Sequence, residues 1–332
     1  MNSKLHVPKH SIPGGWTIGP NSRLLDVWTK NPLLMYSPDF IYDNHDITFF
    51  IHDNTSASAD STLHYDCRHD TTANIAHILQ NQIGIALCAL DTLGLEGSWR
   101  NLIFIVHRNT PLYAIQLYET LGFTTLCTDK AVGGRFIKSN PTEFLSRSIA
   151  GDYLHKHAVK LGVIPESPEP GDPIFIARKG RRSLNNLREI ETLLRSHGYK
   201  TIYAEDMDIF EQIRTISCAK SIVGLHGAAL GYLMFRDPSL RGELIELFSS
   251  VYSNNWARAI ASRKNMDWVG CVGNFDFRRM QKLNSDCHPR KFESLCYKIS
   301  PDALDLILRA VSEPGRINTN IPRLCSISIP NH

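Results

Sequence analysis

The sequence lacks the features of a membrane-spanning or secreted protein. No run approaches the roughly 20 apolar residues that cross a bilayer. The amino-terminal stretch MNSKLHVPKHSIPGGWTIGP has no continuous apolar core like that of a signal peptide. We therefore predict a soluble chain without a transmembrane segment, located in the cytoplasm, or in the lumen of the Golgi or endoplasmic reticulum if a targeting segment has been removed.

An excess of charge of one sign is also absent. The 36 Lys and Arg side chains against 33 Asp and Glu leave a formal charge of +3. A balance this even argues against nucleic acid or a membrane surface as the main partner. Any anion site must therefore come from a local group of basic side chains.

Paired cysteines are missing as well, since the eight cysteines follow no repeated spacing. A disulfide framework or a zinc site uses cysteines at short, fixed spacings. Cys88 and Cys218 lie in apolar segments that are typical of helices. The pattern predicts buried free thiols in a reducing compartment.

Three familiar enzyme motifs do not occur: GxGxxG, GxxxxGK[ST] and GxSxG. Without the first two, neither a dinucleotide fingerprint nor a P-loop supports phosphate binding. Without the third, a serine hydrolase of the nucleophile-elbow type is disfavoured. A nicotinamide dehydrogenase is therefore a remote alternative.

What the sequence does contain is a regular alternation of strand and helix patterns after a loop-rich entry that ends near residue 46. The 332 residues, 42% of them hydrophobic, suffice for two domains of about 150 residues each. The segment 162–173 holds four prolines and two glycines and predicts a linker. Short strands separated by helices are typical of parallel sheets. We predict an α/β fold of two Rossmann-like domains facing a cleft, 1–164 and 165–310, with a C-terminal tail, 311–332.

Polar side chains stand where predicted strands of the second half end. Arg178 follows IFIA, Glu205 follows KTIYA, His226 follows SIVGL, and Glu246 lies on the next strand. The carboxyl ends of parallel strands open into one crevice. We therefore expect these side chains to converge there.

The loop after Arg178 and the junction after His226 both suit an anion. Arg182 is one of three further basic residues within four positions of Arg178, and guanidinium groups match phosphate oxygens, although a solvated basic turn has the same composition. Gly227 lacks a Cβ, so a ligand or a neighbouring segment of backbone can approach it closely. A predicted helix starting near Ala228 would offer unpaired N–H groups to a phosphate. Together these features predict a diphosphate site.

Two further patterns leave alternatives open. Asp206 and Asp208 match the Asp-x-Asp that holds a divalent metal in many sugar-nucleotide enzymes, but Glu211 after Asp208 matches a capping box at a helix start. We predict capping, with a metal-dependent transferase as the alternative. In the first half, Asn74, His77 and Asn81 share one face of a predicted helix, and that face can line a cleft or meet solvent.

The stretch from FIARKGRRS to GELIELF resembles the signature region of glycosyltransferase family 61, which includes plant xylan arabinosyl- and xylosyltransferases, the EGF-domain O-linked GlcNAc transferase and bacterial capsule-type relatives. The resemblance covers roughly residues 60 to 265 and rests on an Arg-rich strand end followed by an Asn, a Glu, a Glu-Gln pair, Ile/Val-Gly-x-His-Gly-Ala and a late Glu-Leu. It implies a GT-B fold and an inverting, metal-independent hexosyl- or pentosyltransferase without a cofactor. The implied donor is a UDP-sugar, and the acceptor is a hydroxyl of a glycan or glycoconjugate.

The resemblance also implies roles for individual residues. Donor-binding roles fall on Arg178, Arg182, Asn186, Gln212, His226, Gly227, Ala228 and Glu246. Among these, Glu246 is the candidate for the ribose hydroxyls. The acceptor side comprises Asn74, His77 and Asn81. His77 is the proposed general base because imidazole titrates near neutral pH, with Glu205 or His226 as alternatives.

Two positions depart from the family pattern. Leu187 follows Asn186 where the family usually has Glu, and Asn81 stands four residues after His77 where the family usually has an acidic residue. An amide cannot take a proton from the acceptor. Another group must then serve as the base, or the protein is a catalytically silent module that binds nucleotide sugars or glycans.

Overall fold

The computed structural model describes residues 2–11, 33–36, 41–54, 62–140, 147–249, 256–273, 296–312 and 325–326. The strands in these ranges are β1 (Asn2–Ser11), β2 (Leu33–Tyr36), β3 (Ile41–Asp53), β4 (Leu63–Asp66), β5 (Leu102–Val106), β6 (Thr124–Cys127), β7 (Arg135–Asn140), β8 (Ile174–Ala177), β9 (Lys200–Tyr203), β10 (Ser221–Leu225), β11 (Gly242–Ser249), β12 (Met266–Gly273) and β13 (Cys325–Ser326).

The helices alternate with the strands as the sequence predicts. The first, α1, is a continuous run of Ile75–His77, a π-helical stretch Ile78–Gly84 and Ile85–Thr92. The others are α2 (Leu112–Thr120), α3 (Arg147–Lys160), α4 (Leu187–Ser196), α5 (Ile209–Cys218), α6 (Trp256–Arg263) and α7 (Pro301–Ser312). Short 3₁₀ segments cover Glu96–Asn101, Ala204–Asp206 and Ala228–Phe235.

Two sheets form the framework. The first has six strands in the order β1-β3-β7-β4-β5-β6, with the four strands from β7 to β6 parallel. The second has seven strands in the order β13-β2-β12-β11-β10-β8-β9, with the five strands from β12 to β9 parallel. The predicted α/β class with parallel-rich sheets is confirmed. The division at residues 164 and 310 stays a prediction; β2, which precedes it, pairs within the second sheet.

Local sequence explains why these elements form. The strands β8 and β10 read IFIA and SIVGL without polar alternation and are buried at every position, as parallel strands covered on both faces require. The helix α4 is amphipathic and buries Ile190 and Leu194. Gly122 and Gly198 follow α2 and α4 with φ of 74° and 82°, a left-handed conformation that favours glycine where a helix ends.

Two sequence expectations were wrong in detail. The loop-rich entry contains β1 and β2, and β3 begins at Ile41, because β1 gains its structure from pairing with β3, a contact that local patterning does not reveal. The segment Ala228–Phe235 forms a 3₁₀ helix and not an α-helix. It is a short, wholly apolar run, and the period of such a run does not distinguish helix types.

The helical layers of the two sheets are in direct contact. A Cβ added at Gly231 would lie 3.2 Å from Ala76 Cα of α1, and one added at Gly151 of α3 would lie 3.2 Å from Met234 O. These glycines allow the segment Ala228–Phe235 to pack closely on both helices. The contact brings the first turn of α1 beside the His-Gly-Ala junction.

The six cysteines whose side chains are described are free thiols. Cys67, Cys88 and Cys271 are buried, as expected, whereas Cys127 is exposed and Cys218 is partly buried. Across the described ranges, no helix has both the length and the apolar character that a bilayer crossing needs.

Candidate active site

A cavity of about 550 Å³ lies between the carboxyl ends of the second sheet and the helical layer of the first. The second half contributes Ala177, Arg178, Glu205, Met207, Asp208, Gln212, Gly227, Ala228 and Ala229, among others. The first half contributes Ala73, Ile75, Tyr113 and Gln116. Loops after β8, β9 and β10 therefore reach one space, which is where parallel α/β sheets bind ligands.

Six of the residues singled out from the sequence line this cavity: Arg178, Glu205, Asp208, Gln212, Gly227 and Ala228. Gln212 is buried at the start of α5, and its Nε2 donates to Met207 O at 2.9 Å. This hydrogen bond holds the loop before α5 against the cavity wall.

Arg178 is the one basic side chain among the described residues that line the cavity, which also include the acidic Glu205 and Asp208. Burial and the neighbouring Arg182 lower the pKa of the Arg178 guanidinium, and Glu205 and Tyr297 only partly offset them. Among the residues that the structure describes, neither Arg178 nor Arg182 forms a hydrogen bond or ion pair. An Arg side chain offers five N–H donors. A partly buried guanidinium with uncommitted donors is suited to an anionic ligand.

Arg182 occupies an unusual backbone conformation. Its φ is 58°, a left-handed value uncommon for a residue with a Cβ. Gly180 in the same loop also has a left-handed φ, 70°, and Arg182 lies close enough to Arg178 to lower the pKa of its guanidinium. Outliers of this kind often accompany ligand sites.

Gly227 allows the Arg178 side chain to pack closely against the backbone. Its backbone is extended, with φ and ψ both 173°, so the backbone conformation itself does not require glycine. A Cβ built at this position would lie 2.9 Å from Arg178 Nη1. The glycine therefore leaves room for the guanidinium, whereas the sequence alone could not say which group approaches there.

The acidic residues after β9 hold the basic loop and start a helix. Glu205 Oε1 accepts from the Lys179 backbone N–H at 2.8 Å, and Asp206 accepts from Lys179 Nζ at 2.6 Å. Asp208 Oδ1 accepts from the Glu211 N–H at 2.8 Å and caps α5. Capping by Asp208 is therefore confirmed. Within the described part of the chain, no three His, Cys, Asp or Glu side chains gather as a metal-binding group.

His226 and Glu246 lie behind the cavity wall. Both side chains are buried. His226 Nδ1 forms a hydrogen bond with Glu246 Oε1 at 2.5 Å, and Glu246 Oε2 accepts from Trp268 Nε1 at 2.8 Å. Neither residue lines the cavity. A ribose contact by Glu246 would require this group to open, so the observed geometry shows Glu246 anchoring the His-Gly-Ala junction.

Asn186 also lies outside the cavity. Its Nδ2 donates to Ile299 O at 2.8 Å, and its Oδ1 accepts from the Ile299 N–H at 3.2 Å. A further bond runs from Nδ2 to Glu189 at 2.9 Å. The amide thus fastens residues 296–300 to the start of α4, a structural contact that a single sequence does not disclose.

On the first-half side, the polar face of α1 is organised by a residue that the sequence motifs did not single out. Asn74 caps the helix by accepting from the Ala76 N–H at 3.0 Å. His77 Nδ1 lies 3.1 Å from Asp70 Oδ1, and Asn81 Nδ2 donates to Asp70 Oδ2 at 2.8 Å. Asp70 lies in the loop after β4, at the carboxyl edge of the first sheet, and this position is the sequence signal that could have found it.

Tyr113 and Gln116 of α2 were also missed. The Tyr113 hydroxyl donates to Ala73 O, and Tyr113 and Gln116 both line the cavity, as Gln212 does. They complete a wall to which each half of the chain contributes. The sequence of this helix contains no motif that distinguishes these two residues.

A known protein family matches the region that carries several of these residues. The model of the family described as Glycosyltransferase 61 matches residues 123–241. That region includes Arg178, Glu205, Gln212 and Gly227, while α1 precedes it and Glu246 follows it. No curated protein matches the chain. The match over residues 123–241 supports glycosyltransferase family 61, the family that the sequence resemblance indicates.

Proposed function

We propose that this protein transfers a sugar from a nucleotide sugar to a hydroxyl of a glycan or glycoconjugate. The observation that carries the proposal is Arg178, which is partly buried, has uncommitted donors among the described residues, and shares a cavity of about 550 Å³ with Gly227. A cavity of this size suits a small-molecule ligand. The family match supports a glycosyltransferase rather than another nucleotide-binding class.

The donor diphosphate would lie against Arg178 and Arg182. Negative charge grows on the leaving phosphate as the bond to the sugar breaks, and fixed guanidinium groups in a partly dry site stabilise that charge. Backbone N–H groups at Ala228 and Ala229, which line the cavity at the start of the 3₁₀ segment, are groups of the kind that bind phosphate. These residues therefore support departure of a nucleoside diphosphate.

The remaining features of the proposal follow from the family resemblance. We propose a GT-B arrangement, with the first half binding the acceptor, and UDP as the nucleotide. We also propose an inverting displacement without a metal. The engagement of Asp206 by Lys179 and of Asp208 by the Glu211 N–H supports this choice over metal-dependent transfer.

His77 is the proposed base for the acceptor hydroxyl. It does not line the cavity; it lies on α1 two residues after Ile75, which does. Its side chain is 30% exposed, so an acceptor can reach it. A proton taken by imidazole at neutral pH would make the hydroxyl a better nucleophile.

A panel of UDP-, GDP- and TDP-sugars tests the function. We expect thermal stabilisation by UDP-sugars, because a ligand that binds only the folded state raises its stability. We further expect release of UDP with a glycosylated product, retained in EDTA. Stabilisation without any turnover would favour the silent binding module, and loss of turnover in EDTA would favour the metal-dependent alternative through Asp206 and Asp208.

A further inference from the structure

A carboxylate lies beside His77, although the position where the family pattern has an acidic residue does not hold one in this chain. Residue 81 is Asn, yet Asp70 reaches the same neighbourhood from the loop between β4 and α1. Its Oδ1 lies 3.1 Å from His77 Nδ1, and its Oδ2 accepts from Asn81 Nδ2 at 2.8 Å. The three side chains therefore form one hydrogen-bonded group.

The hydrogen bonds assign the state of this group. Burial alone would raise the pKa of the Asp70 carboxyl, but bonds from Asn81, the Thr71 N–H and His77 outweigh burial and hold that pKa below its ordinary value. A charged carboxylate accepts a hydrogen bond, so His77 Nδ1 carries the proton. Asn81 Nδ2 lies 3.3 Å from His77 Nδ1. Both nitrogens are then donors to the Asp70 carboxylate, and they lie close together because they share it.

This tautomer leaves the other ring nitrogen ready to act. With Nδ1 protonated, Nε2 carries the lone pair, and within the described ranges it has no hydrogen-bond partner. Neighbouring positions on the helix are buried, whereas His77 is 30% exposed. The loop that carries Asp70 continues into Ala73, which lines the cavity. The basic atom is therefore accessible beside the proposed acceptor region.

We propose that Asp70 is a positioning residue for His77 in the transfer reaction, an inference that rests on the proposed function. As the acceptor oxygen forms its bond to the anomeric carbon, its proton passes to His77 Nε2. The bond from that carbon to the diphosphate oxygen breaks, and its electron pair leaves on the phosphate. Asp70 keeps the ring oriented through Nδ1–H and stabilises the imidazolium that forms.

Moving the carboxylate tests the proposal. Turnover is measured as UDP release with the UDP-sugar that the panel selects, for wild type, Asp70→Asn, Asn81→Asp and the double variant. Asp70→Asn is expected to lower kcat about 10- to 100-fold, within the range of general-base contributions, with KM for the donor unchanged. The double variant returns a carboxylate beside Nδ1 and is expected to recover most of the lost kcat.

A double-mutant cycle with His77→Ala separates positioning from a structural effect. If Asp70 acts through His77, Asp70→Asn lowers kcat no further in the His77→Ala background. Additive losses of kcat in the cycle with His77→Ala would overturn the inference. So would an Asp70→Asn/Asn81→Asp variant whose kcat is as low as that of Asp70→Asn alone. If Asp70→Asn does not fold, Asp70→Ser, which also removes the carboxylate, replaces it, and an unchanged kcat for that variant would likewise overturn the inference.

The two proposals fail in different ways. Wild-type protein that binds UDP but transfers no sugar contradicts the proposed function and this inference together. Wild-type transfer that Asp70→Asn leaves unchanged contradicts only the role of Asp70.

Discussion

At the scale of single residues, the site depends on the close approach of the Arg178 guanidinium to the backbone at Gly227. Arg178 Nη1 occupies space that a side chain at position 227 would take, since a Cβ there would lie 2.9 Å away. Glycine at this position therefore permits a specific placement of the guanidinium. The adjoining residue, His226, bonds Glu246, whose other carboxylate oxygen accepts from Trp268 Nε1.

Gly227→Ala is expected to weaken UDP binding about tenfold, equal to about 1.4 kcal/mol, without unfolding the protein. The added methyl group meets the end of a flexible side chain, so the guanidinium moves while the strand stays. Titration calorimetry with UDP measures the change. Gly133→Ala is the control, because a Cβ there meets nothing within 4 Å. Equal affinities for both variants would contradict the role given to Gly227.

At the scale of elements, the start of α4 is fastened to the chain near its carboxyl end. Asn186 bonds both the N–H and the C=O of Ile299, and Tyr297 pairs with Leu184 across an isolated bridge. This contact places residues 296–300 beside the loop that carries Arg182. The amide therefore supports the basic loop indirectly, which differs from the donor contact that the family resemblance implies.

Asn186→Ala is expected to lower the free energy of unfolding by about 1–3 kcal/mol, because it leaves buried backbone groups without partners. UDP affinity should stay within about twofold of wild type. Asn185→Ala is the matched control, since the Asn185 side chain is exposed and its hydrogen bond to Cys296 O is long, at 3.5 Å. Denaturant unfolding and UDP titration provide both readouts. A large loss of UDP affinity with unchanged stability would restore a donor contact for Asn186.

The convergence of Arg178, Glu205 and Gly227 could be predicted from the sequence, because each lies within two residues of the end of a strand and parallel strands end at one edge. The pairing of Asp70 with His77 could not, since it depends on the path of a loop. The Glu246–Trp268 bond depends on the pairing of β11 with β12. Local patterns identify elements and their ends; they do not determine which side chains meet across them.

At the scale of the whole molecule, the helical layers of the two sheets are joined by a buried charged group. Lys264 follows α6 and is fully buried, and its Nζ donates to Gly151 O at 3.1 Å and to Asp152 Oδ1 at 3.3 Å on α3. Arg263 also bonds Asp152, at 2.6 Å. Burial lowers the pKa of the Lys264 ammonium to about 8.

This group predicts how stability depends on pH. Between pH about 8 and the ordinary Lys value near 10.4, the unfolded chain binds more protons than the folded one, so Lys264 makes the free energy of unfolding rise with pH. Lys264→Met should flatten that rise by on the order of 2–3 kcal/mol. Denaturant unfolding at pH 8 and pH 10 measures it, with exposed Lys200→Met as the control. Parallel curves for wild type and Lys264→Met would contradict the assignment.

The central claim is that Arg178 binds the donor diphosphate, and calorimetric titration of UDP tests it most directly. Arg178→Ala should weaken UDP binding at least about tenfold, because a charge-assisted hydrogen bond contributes about 1.5–3 kcal/mol. Arg181→Ala, which removes an exposed Arg three residues away, should stay within about twofold of wild type. A folded Arg178→Ala variant that binds UDP as tightly as wild type would contradict the account.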